Sequence, residues 1–374
     1  MKQYISILTA FSIFMIVGCQ GNNLVTTELP VLKDVYKNSF MIGTALNGRQ
    51  ISGHDAKTLN LALQQFNTFT AENVLKWERV HPEFEEYKFD LPDRFVELGI
   101  KNNIFLVGHT LLWHNQTPDW VFEDAEGNPV TRDVLLQRLK DHIFTVVGRY
   151  KGNIKGWDVV NEAFEDDGSM RKTKWSTIIG EDYIEKAFQF AHEADPEAEL
   201  YYNDFNMWKG KKQAVVNLVE NFQVKGIPIH GIGMQGHWGL DYPPMDELET
   251  ALQTYAATGL KIMITELDIR VLPNPDSDTG ADITKDFALQ AKLNPYPDAL
   301  PDSMQTVLAD RYAGFFKLLL KYKNSVSRVT FWGVHDGMSW CNHWPVRGRT
   351  DYPLIFDRNL QPKPAFYKII SLIE

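Results

Sequence analysis

The chain has 374 residues, of which 44% are hydrophobic, so it can bury a large core in one large domain or two ordinary ones. Its formal net charge is -10, from 38 basic and 48 acidic residues, and such a surface repels phosphate backbones. We therefore expect no nucleic-acid partner. Cys19 and Cys341 are the only cysteines, which excludes a disulfide framework and a cysteine-rich zinc site.

The N-terminal segment has the features of an export signal. One early lysine precedes an apolar run at residues 4–17, which is short for a membrane span. The run ends in Val-Gly-Cys, which resembles the cleavage box of bacterial lipoproteins. We therefore predict a signal peptide at 1–18, a lipid on Cys19 and a polar tether at 19–32. The protein would be exported and held at a bacterial membrane only through that lipid; ordinary secretion and a retained anchor are the alternatives.

The rest of the chain alternates between predicted strands and predicted helices. The apolar segments predicted as strands are 40–47, 68–73, 104–114, 154–162, 199–206, 229–237, 261–269 and 328–336. Segments with helical periodicity lie between them; examples are 56–65, 134–150, 181–194, 211–226, 245–259 and 308–323. Eight such units predict an α/β fold, a closed (β/α)8 TIM barrel formed by a single domain at 33–374. An open doubly wound sheet is the competing fold, but the turn after the first strand lacks the glycine spacing of a phosphate loop.

A proline-rich loop at 272–303 follows the seventh predicted strand. In a barrel it would lie on the C-terminal face, where the active site is found. Long loops in compact domains are often functional. The alternative is a peripheral excursion without a chemical role.

The ends of the predicted strands carry polar and aromatic residues that a barrel would bring to one mouth. The candidate site residues are Glu72, Asn73, Lys76, His109, Trp113, Asn161, Glu162, Tyr202, Asn203, Gln235, His237, Glu266, Trp332 and Trp340. Taken singly, a histidine or tryptophan is usually a core residue, and a glutamate at a strand end can cap the next helix. Together they supply more polar hydrogen-bonding groups than the rim of a barrel needs for its structure alone. Two glutamates at strand ends, Glu162 and Glu266, indicate a paired-carboxylate site.

Six motifs on these strands resemble glycoside hydrolase family 10, which consists chiefly of endo-1,4-β-xylanases. They are FTAENVLKWE, GHTLLWH, WDVVNE, GMQGH, ITELD and FWGVHDGMSW, and the resemblance runs from about residue 33 to the C-terminus. It implies a (β/α)8 barrel that hydrolyses internal β-1,4-xylosidic bonds of xylan with retention of configuration. It also implies that no metal or cofactor is needed and that xylan and xylo-oligosaccharides are the partners. We expect a monomer.

The resemblance assigns the two glutamates their roles. Glu162 matches the general acid/base and Glu266 the nucleophile of a double displacement, which requires carboxyls about 5 Å apart. Glu162 must be protonated when substrate arrives, so we expect the ionised Glu266 to raise its pKa. His237 would hydrogen-bond Glu266 and hold its orientation and charge.

Other residues match positions around the reacting sugar in subsite −1. Asn161 would donate to its 2-hydroxyl, and Lys76 and His109 would bind the side that carries its 3-hydroxyl. Trp113 would form a wall of that pocket, and Gln235 would line the same region.

The remaining matches lie farther along the cleft. Glu72 and Asn73 would bind the sugar in subsite −2. The large aromatic residues Trp332 and Trp340 would pack against the apolar faces of the sugars.

Tyr202 and Asn203 are predicted on the leaving-group side.

Two other functions stay open on the sequence alone: a β-1,4-glucanase or cellobiohydrolase-like activity on the same fold, and a glycan-binding protein that has lost catalysis. The second predicts damage to the catalytic pair, yet both glutamates are present.

Overall fold

The computed structural model describes residues 29–275 and 282–373, in which nine parallel strands form one sheet. They are β1 Met41–Leu46, β2 Thr68–Ala71, β3 Phe105–Leu112, β4 Ile154–Asn161, β5 Glu199–Asp204, β6 Gly231–Met234, β7 His237–Gly239, β8 Lys261–Arg270 and β9 Val326–Phe331. The predicted signal peptide at 1–18 and the lipidation site Cys19 lie outside the described residues.

Eight of the strands close into a barrel. The order is β1-β2-β3-β4-β5-β6-β8-β9, and β9 pairs back with β1. Helices connect successive strands, so the predicted (β/α)8 barrel is confirmed.

The sixth predicted strand, 229–237, is two strands in the structure. β6 belongs to the barrel, whereas β7 pairs only with the outer part of β8. Gly236 causes the break: its φ is +85°, and a Cβ there would lie 2.7 Å from Cγ2 of Ile264. Because only glycine adopts this conformation so close to a neighbouring strand, the chain turns here and sends His237 to the rim.

Twelve α-helices lie within the described residues. They are α1 Leu32–Val35, α2 Gly48–Ile51, α3 Ala56–Gln65, α4 Trp77–Val80, α5 Asp90–Asn102, α6 Arg132–Arg149, α7 Lys174–Ile178, α8 Tyr183–Ala194, α9 Lys211–Lys225, α10 Met245–Ala256, α11 Asp302–Lys321 and α12 Pro364–Ile370. Short 3-10 turns occur at Asp119–Val121, Ala291–Leu293, Asp336–Met338 and Trp340–Asn342. Over the same residues, no helix has both the length and the apolar composition to cross a bilayer.

Helix α6 illustrates how the outer layer forms. The side chain of Thr131 caps its N-terminus by accepting from the backbone N–H of Val134. Leu135, Leu139 and Ile143 recur every four residues and are fully buried, so they form one apolar face against the barrel.

Within the barrel, the core at the level of Val107, Tyr201 and Met263 fills the interior below the mouth. The mouth therefore has a closed floor.

Candidate active site

Glu162 directly follows β4, and Glu266 lies in the second half of β8. Glu162 follows the last residue of β4 with φ +59°, a left-handed conformation that turns the chain at the rim, and its N–H donates to the Asn203 carbonyl at 2.9 Å. Glu266 lies in β8, and its N–H donates to the Gln235 carbonyl at 2.7 Å. Both carboxyls line one cleft of about 570 Å³. They are only 6% and 5% exposed, so water has restricted access to them.

Three donors fix the carboxyl of Glu162. Trp113 Nε1 donates to Oε2 at 2.9 Å, and Gln235 Nε2 donates to Oε1 at 2.8 Å. The Asn161 amide adds a longer contact to Oε1 at 3.3 Å. Glu162 is therefore held in one rotamer by neutral groups.

An amide network joins the two glutamates. Asn203 Nδ2 donates to Glu266 Oε1 and to Asn161 Oδ1, both at 2.9 Å, and Thr265 Oγ1 donates to Asn203 Oδ1 at 2.6 Å. Asn161 in turn contacts Glu162 and accepts from Gln235 at 3.2 Å. The relative position of the carboxyls is therefore set by buried side chains of β4, β5 and β8 and by Gln235, which directly follows β6.

Glu266 has charged partners, unlike Glu162. His237 Nε2 lies 3.2 Å from Glu266 Oε2, and its Nδ1 lies 3.0 Å from Asp268 Oδ2. Burial would lower the pKa of His237, but Asp268 and Glu266 together raise it to about 9. The imidazolium then donates to both carboxylates. Trp340 Nε1 also donates to Asp268 Oδ2, at 2.7 Å.

This arrangement keeps Glu266 ionised. Burial by itself would raise the pKa of Glu266, but the positive charges of His109, His237 and Lys76 outweigh it and lower that pKa to about 2. These neighbours therefore favour the ionised form of Glu266, which is the form a nucleophile needs.

Lys76 lines the same cleft and interacts electrostatically with Glu266 and Glu72. Its Nζ donates to Asn73 Oδ1 at 3.1 Å and to Gln116 Oε1 at 3.0 Å, and lies 4.8 Å from the centre of the Trp113 ring. Burial lowers the pKa of Lys76, although the nearby carboxylates oppose this, and burial raises the pKa of Glu72. These groups form a polar wall that can hydrogen-bond sugar hydroxyls.

His109 and the tryptophans complete the wall. His109 Nδ1 lies 2.9 Å from Asp158 Oδ2, and its ring meets Trp332 edge to face at 5.4 Å. Trp340 stacks on Trp344 at 5.0 Å, so a flat aromatic surface borders the cleft. Such a surface suits the apolar faces of pyranose rings.

Twelve of the fourteen candidate residues line the cleft; Tyr202 and Asn203 do not. Both are fully buried. Because side chains alternate along a strand, Tyr202 points away from the barrel interior, where its hydroxyl donates to Asp204. Asn203 points inward but lies beneath the carboxyls. The prediction that they contact the leaving group is therefore corrected: they support the site from below.

The structure adds cleft residues that the sequence predictions omit. They are Gln116, Phe205, Asn206, Trp208, Lys209, Tyr242, Arg270, Asn274, Ile283 and Trp344. Seven of them lie within five residues after a strand end, and Trp344 lies four residues after Trp340, so proximity to the strand ends was a usable signal. Asn274 and Ile283 belong to the 272–303 loop, which therefore borders the cleft.

The family model for glycosyl hydrolase family 10 matches residues 31–372. Endo-1,4-beta-xylanase A of Xylanibacter ruminicola is 45% identical, with 94% of this chain and 95% of that protein aligned. A family 10 endoxylanase from a sugarcane soil metagenome superposes with a TM-score of 0.89 at 44% identity, covering 91% of this chain and 99% of that one. A mutant of an intracellular xylanase from Thermoanaerobacterium saccharolyticum, solved with xylotriose, superposes with a TM-score of 0.78 at 37% identity, covering 92% and 99%. The chain belongs to glycosyl hydrolase family 10.

Proposed function

We propose that the protein is an endo-1,4-β-xylanase that hydrolyses internal bonds of xylan with retention of configuration. The observation that carries this is the pair Glu162 and Glu266, joined by one amide network in one cleft but held by different partners. The xylanase relatives support xylan and xylo-oligosaccharides as the substrate class.

The first step forms a glycosyl-enzyme. The ionised Glu266 attacks the anomeric carbon while Glu162 gives its proton to the leaving oxygen, and the glycosidic C–O bond breaks. Holding Glu266 as a carboxylate lets it stabilise the developing oxocarbenium charge and then form the ester.

The second step releases the sugar. Once Glu266 is esterified its negative charge is gone, which favours deprotonation of Glu162. Glu162 then takes a proton from water as that water attacks the anomeric carbon, and the C–O bond to Glu266 breaks. Two inversions at one carbon give net retention.

The neighbouring side chains have positions suited to holding the sugar. Asn161 can donate to the 2-hydroxyl of the reacting sugar, and Lys76 and His109 can bind the side that carries its 3-hydroxyl. Glu72 and Asn73 are assigned to the next sugar along the cleft.

The substrate is tested by comparing aryl β-xylobioside with aryl β-cellobioside. We expect a higher kcat/KM on the xylobioside. Faster cleavage of the cellobioside would replace the xylanase proposal with a β-1,4-glucanase, and no turnover of any glycan would favour a binding protein.

We also propose that the protein is exported as a monomer, that residues 1–18 are a lipoprotein signal peptide and that Cys19 carries the lipid. The support is the charged start, the short apolar run and the Val-Gly-Cys ending. Mass spectrometry of the mature N-terminus should find modified Cys19, and Cys19→Ser should release activity from the membrane fraction. An unmodified N-terminus elsewhere would refute the anchor.

A further inference from the structure

The side chain of Arg270 lines the cleft and has no hydrogen-bond partner among the residues that the structure describes. It is 8% exposed and ends β8, and within the same residues its Nε makes no hydrogen bond. Among residues 29–275 and 282–373, no carboxylate forms an ion pair with it. A guanidinium has five N–H donors in one plane, and leaving them buried and unpaired is costly.

Two tryptophan rings hold the guanidinium in place. Its Cζ lies 4.7 Å from the centre of the Trp340 ring and 5.2 Å from that of Trp344. These contacts stabilise the charge through the ring faces but do not occupy the N–H edge, which has no acceptor within residues 29–275 and 282–373. The buried carboxylates of Asp268 and Asp351 contribute attraction at longer range.

Arg270 lies farther along β8 than the catalytic residue Glu266. Glu266, Asp268 and Arg270 occupy alternate positions of β8, so they share one face of the strand. At a strand rise of about 3.3 Å per residue, Arg270 lies ~13 Å along the strand from Glu266. It therefore lies outward of the catalytic pair.

Tyr242 and Asn274 lie beside Arg270 in the cleft lining. Gly239 of β7 pairs with Arg270, and a side chain at Gly239 would collide with the ring of Tyr242. Glycine thus lets Tyr242 cover this strand pair, and Tyr242 hydrogen-bonds Asn274 of the 272–303 loop. Both line the cleft beside Arg270.

The two lysines that line the cleft, Lys76 and Lys209, already have hydrogen-bond acceptors. Lys76 donates to Asn73 and Gln116, and Lys209 donates to Asp166 at 2.7 Å. Among the lysine and arginine residues that the structure describes in the cleft, Arg270 is therefore the one whose donors remain available to a ligand.

We propose that Arg270 binds the carboxylate of a uronic acid branch on the xylan chain, so that the enzyme prefers acidic, glucuronic acid-substituted xylan over neutral xylan. A planar carboxylate matches the guanidinium edge and neutralises its charge, whereas a hydroxyl supplies neither a second acceptor nor a charge. This inference rests on the proposed xylanase function and names a feature of its substrate.

The test uses two branched xylo-oligosaccharides that differ only in charge: one with a glucuronic acid branch, and the same compound with that carboxyl reduced to an alcohol. We expect the wild-type kcat/KM to be about tenfold higher on the acidic compound, and this ratio to fall to about 1 in Arg270→Gln. Lys323→Gln removes one positive charge from an exposed turn after α11 and should keep the wild-type ratio.

A second measurement covers the case in which Arg270→Gln does not fold. The wild-type ratio should decrease as the NaCl concentration is raised, because salt screens the charge pair. Arg270→Lys should give an intermediate ratio, because lysine keeps the positive charge but lacks the paired planar donors of a guanidinium. Equal wild-type kcat/KM on the two compounds, or an unchanged ratio in Arg270→Gln, would overturn the proposal while leaving xylanase activity intact. Failure to cleave linear xylo-oligosaccharides would instead refute the proposed function.

Discussion

Glu162 and Glu266 are the same residue type, but their partners give them different chemistry. Neutral donors surround Glu162, whereas Glu266 faces His237 and the charges of Lys76 and His109. The charged side favours a permanent carboxylate. Among the described residues, no cation hydrogen-bonds the carboxyl of Glu162.

Glu162→Ala should separate substrates by leaving group. Polymer hydrolysis should fall by about 10³-fold, because its leaving oxygen needs a proton, whereas hydrolysis of a dinitrophenyl xylobioside should lose far less in its first step. Steady-state and burst kinetics on both substrates check this. Glu266→Ala is the matched control and should abolish both, and an equal loss on the two substrates in Glu162→Ala would contradict the acid/base role.

His237→Gln should move the acidic limb of the pH–rate profile. Ionised Glu266 is the reactive form, and its pKa of about 2 depends partly on the His237 charge. Removing that charge raises the pKa of Glu266, so we expect the acidic limb of kcat/KM to shift up by about 1 pH unit. His192→Gln on α8 serves as the control and should leave the profile unchanged. An unshifted limb in His237→Gln would show that His237 does not hold the charge of Glu266.

Sequence reasoning reached most of the site residues because strand ends could be recognised. It misplaced Tyr202 because the alternation within β5 was not applied: Tyr202 shares a face with Asp204, not with Asn203. Arg270 escaped notice because nothing local distinguishes it from a surface cation. Its significance arises from two tryptophans that lie 70 or more residues away in the chain.

At the scale of elements, glycines decide how closely helices and strands approach. In α5, a Cβ on Gly99 would collide with the side chain of Leu106 in β3, so the helix packs against the strand only because the side chain is absent. Apolar periodicity can find helices and strands, but not such contacts, because they depend on the final packing distance. The split between β6 and β7 at Gly236 escaped prediction for the same reason.

Gly99→Ala and Gly148→Ala form a matched pair. Both lie within helices, and alanine improves helix propensity by about 1 kcal/mol. At Gly148 in α6 the added Cβ would meet no described atom within 4 Å apart from the backbone of its own helix, so we expect stabilisation of about 0.5–1 kcal/mol. At Gly99 the clash of the added Cβ with Leu106 should outweigh the gain in helix propensity, so Gly99→Ala should lower the free energy of unfolding by about 1–3 kcal/mol. Denaturant unfolding measures both, and a stabilised Gly99→Ala would show that α5 can shift outward freely.

For the whole molecule, buried histidines link stability to pH on both sides of neutrality. His142 is fully buried and stacks on Trp77 at 3.6 Å, and burial lowers its pKa well below the usual value. Burial also lowers the pKa of His114, to about 4. His237 behaves oppositely, because its carboxylate partners raise its pKa to about 9 despite burial.

The free energy of unfolding should therefore be greatest near neutral pH. His142 and His114 stay neutral in the folded state but protonate in the unfolded state below about pH 6.5, so each should cost about 2 kcal/mol by pH 5. The contribution of His237 is fully present below pH 6.5 and is lost as the pH rises through 9. Urea unfolding at pH 5, 7 and 9 should show the maximum.

His142→Phe tests the acidic side directly. Phenylalanine keeps a ring against Trp77 but cannot titrate, so the loss of unfolding free energy between pH 7 and pH 5 should be about 2 kcal/mol smaller than in the wild type. Absolute stability at pH 7 should also fall, because the contact between the Nδ1 atoms of His142 and His81 at 3.2 Å is removed. His54→Gln, at an exposed position, should keep the wild-type pH dependence. If His142→Phe lost as much stability as the wild type on acidification, the proton linkage would have to reside in other groups.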